Sequence, residues 1–162
     1  MKYDAQFIKN MHSTTNGNDK MTIEYFINVL SKSSNFDKIY DNNLKMGNYA
    51  FCDVVGWRDY YPFYFELKCR KNTYSWQYPD AGLSPHKYKN IISNAITTSG
   101  KAYYIAFYLD CWCFWDLLNE KPSRYGTWKH KKTTEFNNNY TITETEVPFF
   151  EVKNHQHKYV YA

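Results

Sequence analysis

The chain has 162 residues, 43% of them apolar and 22% charged, with a formal net charge of +4, which suits one globular domain large enough for a sheet covered by helices. No apolar run reaches signal-peptide or membrane-span length, so a cytoplasmic protein without membrane attachment is expected. The 17 tyrosines have two sources that composition does not separate: AT-rich coding, or aromatic stacking on nucleic-acid bases.

In chain order, the first eighteen residues read as irregular and end in the loop signal Thr15-Asn16-Gly17-Asn18. MTIEYFINVLSK then places Ile23, Phe26, Ile27 and Leu30 at i, i+3, i+4 and i+7, the stripe of an amphipathic helix capped by Asn18 or Asp19. Glu24 falls on the edge of that stripe. A polar connection with a short strand near residues 37–40 follows. Two strands are expected at 49–55 and 62–68, joined by a turn at Gly56-Trp57-Arg58-Asp59, and then a loop over 72–82. A second helix is expected over 83–97, with Ser84 as N-cap and Pro85 at its first position. KAYYIAFYLD reads as a buried central strand and CWCFWDLL as its neighbour, turning at Asp110. Residues 119–162 read as hairpins or loops extending a core at about 21–118, within a single domain over 1–162. A helix on either side of a mixed sheet is an α/β sandwich.

Period two along 62–68 sends Glu66 and Lys68 to one face and Phe65, Leu67 and Cys69 to the other. If the two strands pair as neighbours, Asp53 approaches Glu66 across the ladder. Carboxylates that close repel unless a cation neutralises them, and Mg²⁺ answers that need with carboxylate, water and phosphate oxygens. Lys68, two residues along, would hold a metal-adjacent water facing a phosphate, an arrangement suited to phosphodiester hydrolysis. The bland alternative is an ion pair on a solvated sheet face, which contributes little stability.

Asp53 followed by Glu66-Leu67-Lys68 resembles the D…(D/E)-x-K signature of the PD-(D/E)XK nuclease superfamily. The resemblance covers about residues 21–118. It implies a restriction-endonuclease-like three-layer core, a mixed central sheet flanked by helices, in the order helix, three-stranded meander, helix, strand. It implies that Asp53, Glu66 and the main-chain carbonyl of Leu67 bind Mg²⁺, with Mn²⁺ as a substitute. It also implies that Lys68 works on the attacking water and that Glu24 adds a carboxylate from the first helix. Two departures stand out. Cys52 precedes Asp53 where many members have Pro, and SPHKYKNIISNA lacks the Gln-x-x-x-Tyr pattern of the exonuclease branch, which favours an endonuclease.

Basic clusters supply candidate phosphate contacts: Arg70, Lys87, Lys89, Lys129, Lys131 and Lys132. A second Glu-x-Lys, Glu151-Val152-Lys153, has too little chain after it for the helix and strand a catalytic strand needs. Cys52, Cys69, Cys111 and Cys113 lack zinc-knuckle spacing and read as reduced, buried thiols. His155-x-His157 has no third ligand nearby. The expectation is a Mg²⁺-dependent DNA endonuclease, with a homodimer as the simplest way to cut both strands; a phage or mobile element is a suitable source. The rivals are a non-catalytic nucleic-acid-binding module that stacks bases on sheet aromatics, and an inactivated nuclease fold that holds a partner.

Overall fold

The structure is a computed structural model that describes residues 5–13, 18–33, 35–133 and 140–161; the side chains of residues 18–19, 48, 130–133 and 140–144 are not described. The elements are α1 (Ala5–Ser13), α2 (Asn18–Ser33), β1 (Lys38–Asp41), α3 (Asn42–Met46), β2 (Val54–Arg58), β3 (Tyr61–Cys69), β4 (Asp80–Gly82), α4 (Pro85–Thr97), β5 (Lys101–Phe107), β6 (Trp112–Asp116), β7 (Arg124–Thr133), β8 (Tyr140–Glu151) and β9 (Lys158–Tyr159). Among the described residues, no helix is long and apolar enough to cross a membrane.

A six-stranded mixed sheet, ordered β1-β2-β3-β5-β6-β9, forms the central layer. β1, β2 and β3 are an antiparallel meander, and α4 carries the chain over to β5, which runs parallel to β3. The fold is therefore α/β, with helix, meander, helix and strand in the order expected.

Alternation along β3 divides the core in two. Phe63, Phe65 and Leu67 pack with Ile23, Tyr25 and Phe26 of α2 and with Ile8 and Met11 of α1. Tyr64 belongs to the other cluster, with Ile91 and Ala95 of α4, Tyr104, Trp115 and Phe150. Each large side chain so buried contributes roughly 1.5–3 kcal/mol. Pro85 opens α4 as expected, although the Ser84 side chain makes no capping hydrogen bond. At the entry to β5, a Cβ on Gly100 would sit 2.5 Å from the Pro62 carbonyl oxygen, an approach that only glycine permits.

The structure corrects two sequence readings and adds detail to a third. Residues 5–13 are helical rather than irregular: Ile8, Met11 and His12 recur at helical spacing and are buried. The hairpin turn is Asp59-Tyr60, both with positive φ, and not residues 56–59, so β2 starts later and runs through Gly56 and Trp57. The C-terminal part contains a hairpin, β7–β8, as expected. β7, β8 and β4 form a second, three-stranded sheet, β9 joins the edge of the main one, and Phe150 and Val152 are buried in the α4-side core. The four cysteines are free thiols; Cys52, Cys111 and Cys113 are buried and Cys69 is half-buried.

Candidate active site

The end of the β2–β3 ladder builds the site. The pairing of Val54 with Phe65, extended by one residue, sets Asp53 opposite Glu66, and the Asp53 N–H still donates to the Phe65 carbonyl at 3.0 Å. Beyond that point β3 continues without β2. The Leu67 N–H, left without a ladder partner on this edge, donates to Asp53 Oδ2 at 2.8 Å. Asn43 Nδ2 donates to Oδ1 at 3.0 Å. Asn43 is positioned by α3, whose N-cap Asp41 accepts from the Asn43 and Leu44 N–H groups. A carboxylate that accepts two such bonds is fixed in orientation.

Glu66 is 8% exposed and lies on the α4 side of the sheet. Burial first, and the facing Asp53 second, push its carboxyl up to about 8, against the pull of Lys87 and Lys68. Lys87 of α4 reaches down to Glu66 Oε2 at 3.2 Å, its ammonium also 3.5 Å from the Ala50 carbonyl. An open cleft of about 630 Å³ exposes this group to solvent, with Lys20 and Thr22 of α2 and Asp41 and Lys68 on its walls. Lys68 is exposed at the mouth.

A hard divalent cation fits this donor set. Two acids share one desolvated corner, and a lysine alone leaves Glu66 well above the ordinary carboxylate range. Leu67 directs its N–H to the Asp53 edge, and the carbonyl of the same strand residue points to that side too. Among the described residues no group of three or more His, Cys, Asp or Glu could hold a metal. The donors here are two carboxylates and a carbonyl, with water or phosphate completing the shell, as Mg²⁺ prefers.

The other expected residues divide. Glu24 is exposed and does not line the cleft, although Lys20, Thr22 and Ile23 of the same helix do. Lys87, expected on phosphate, is paired with Glu66. Arg70 is drawn inward, its Nη2 donating to the Gly82 carbonyl and the Tyr104 hydroxyl at 2.6 and 2.8 Å. Lys89 is exposed on the outer side of α4, away from the cleft, and Lys129 is exposed on β7. The side chains of Lys131 and Lys132 lie outside the described residues. In the second Glu-x-Lys, Glu151 and Lys153 face water and Val152 the core. His155 and His157 stack on Trp115 and Phe114. Sequence reasoning missed Asn43, which had only its place in a polar connection to mark it.

No family model and no curated protein matches the chain. Among solved structures, the chain is similar to Hjc, a Holliday junction resolvase from the archaeal hyperthermophile Archaeoglobus fulgidus, at 17% identity and a TM-score of 0.46, over 59% of this chain and 73% of that one.

Proposed function

We propose that the protein is a Mg²⁺-dependent DNA endonuclease, with Mn²⁺ as a substitute, that hydrolyses phosphodiester bonds at the cleft holding Asp53 and Glu66. The observation that carries this reading is the pair of carboxylates face to face at the open end of β3, one buried, with two lysines beside them. A solvated ion pair, the bland alternative, does not account for a carboxylate 8% exposed beside a second acid.

Asp53 and Glu66, with the Leu67 carbonyl, would hold the ion. Once bound, it supplies positive charge at the phosphate oxygens and a water acidified for attack. Asn43 and the Leu67 N–H hold the Asp53 carboxylate in one orientation, so little reorganisation accompanies loading. Lys87 keeps Glu66 oriented toward the cleft. Lys68 Nζ, at the mouth, donates hydrogen bonds to the attacking water or to a non-bridging phosphate oxygen and stabilises the charge that develops there. Glu24 enters this mechanism only if α2 shifts, and we assign it no role.

Cleavage of plasmid and branched DNA by the wild type, with and without Mg²⁺, tests the reading beside Asp53→Asn, Glu66→Gln and Lys68→Ala. Loss of at least about a hundredfold in rate is expected for each acid. Equal cleavage by all four proteins, or undiminished cleavage in chelator, would remove the site. One observation favours the rival, a non-catalytic binding module. Tyr74, Trp76 and Tyr78 are 43%, 74% and 61% exposed in the loop after β3, as stacking platforms are. Chelator-insensitive binding with no cleavage under any divalent ion would favour it.

A further inference from the structure

A second cavity, of about 610 Å³, opens behind Lys68, between the end of β3, the loop into β4 and the β7–β8 hairpin. Lys68 and Cys69 line both this cavity and the catalytic cleft, so the two are adjacent. We propose that this cavity seats one unpaired nucleotide of the substrate strand, beside the phosphate that is cut. The inference rests on the nuclease reading for the position of that phosphate, but not for binding itself.

Charge favours an anion here. Lys68, Arg70, Lys71 and Arg124 line the cavity against a single carboxylate, Asp80, which Arg124 already holds through two hydrogen bonds of 2.6 and 3.1 Å. Lys68 and Lys71 therefore present their charge to whatever enters, and the half-buried Arg70 adds positive potential from the wall.

The walls favour a base. Tyr78, 61% exposed, and Trp128 of β7, half-buried, both line it. Aromatic faces beside lysines are the combination that binds single strands, stacking on the base and charge on the backbone. The Trp128 wall is set firmly. A Cβ on Gly82 would lie 2.9 Å from the Phe149 ring and 3.1 Å from Trp128, so β4 and the hairpin pack as closely as a glycine allows. The Arg124 guanidinium covers the outer face of Phe149, 4.0 Å from its centroid. A recess of this volume accepts one nucleotide, at most two, and not a stacked duplex. The substrate class that follows is DNA with an unpaired nucleotide at the cleavage point: a flap, a tail or a branch.

The test is binding in chelator, where cleavage plays no part. Fluorescence anisotropy compares a blunt duplex with the same duplex carrying a single-stranded tail. The wild type is expected to prefer the tailed probe. Tyr78→Ala and Trp128→Ala should each weaken binding of the tailed probe by roughly tenfold and leave the blunt duplex unchanged, with Trp128→Phe restoring most of the loss. Lys71→Ala should lower the salt dependence of tail binding. Equal wild-type affinity for both probes would overturn the proposal, as would unchanged tail affinity in Tyr78→Ala. Tyr78 is largely exposed, so that variant decides the matter even if Trp128→Ala fails to fold. A tail preference without cleavage sinks the nuclease reading alone. Cleavage with no tail preference sinks this inference alone.

Discussion

The two faces of the central sheet are made from one strand and behave differently. Toward α1 and α2, β3 presents Phe63, Phe65 and Leu67 to a dry aromatic layer in which Phe26 meets Phe65, Phe107 and Trp112 edge-on. Toward α4 the same strand presents Tyr64, then Glu66, then Lys68, and the layer above answers with Lys87. Both faces carry an apolar cluster, but the α4 face also sets the Glu66 carboxyl and Lys87 at its edge, beside a cleft. Free energy is spent where chemistry is proposed, and the apolar clusters on the two faces supply the stability that tolerates it.

Substitutions on the two faces should therefore act in opposite directions. The largest effect is expected from Phe107→Ala on the dry face, a loss of about 3–5 kcal/mol in denaturant unfolding. Next comes Glu66→Gln, which should stabilise the metal-free protein at neutral pH by about 2–4 kcal/mol, even as it abolishes cleavage. The sign follows from a folded pKa of about 8 against an ordinary 4.5. Between these values the folded state holds a proton that the unfolded chain releases, so this group's stabilising contribution is complete below 4.5 and is lost as pH rises through 8. In Glu66→Gln that decline should disappear from a plot of Tm against pH in chelator. A wild-type profile no steeper than the variant's would show that Glu66 is solvated, and the contrast between the faces would fail with it.

Gly100→Ala is expected to cost about 1–3 kcal/mol, because the atom it meets is backbone and cannot turn aside. The smallest effect belongs to His12 of α1. It is fully buried, with Nδ1 against the Arg70 carbonyl and Nε2 against the Tyr161 hydroxyl. Burial lowers its pKa, partly opposed by the Arg70 and Tyr108 backbone and by Asp110. The unfolded chain then takes up a proton that the folded state refuses, so stability should fall as pH drops through the ordinary histidine value and level off below the folded one. This slope runs against that of Glu66. Measuring Tm from pH 7 to 5 in the Glu66→Gln background isolates it, and replacing His12 with Gln should flatten it.

Much of the site was legible because alternation in β3 is unbroken and Asp53 stands one pairing beyond a regular ladder. Period two and neighbouring strands were enough to bring Asp53 and Glu66 together. α2 was legible from its stripe, and α4 from Ser84-Pro85. What escaped was tertiary. Glu24 sits one residue from Ile23, which lines the cleft, and periodicity alone does not reveal which of the two faces it. The pairing of Lys87 with Glu66 joins a helix to a strand 21 residues earlier, with no local signal. α1 was missed because nine residues carry too short a stripe. The Asp59-Tyr60 turn was missed because neither residue is the glycine or asparagine usual at positive φ.

The last strand of the small sheet ends inside the large core: Phe150 and Val152 are buried there, the Val152 N–H donates to the Pro79 carbonyl at 2.8 Å, and Trp115 Nε1 donates to the Glu151 carbonyl at 3.2 Å. A hairpin anchored at its root in this way cannot swing like a lid. The interval between the two recesses is consequently a fixed gauge, and a strand that spanned them would have to bend to the protein.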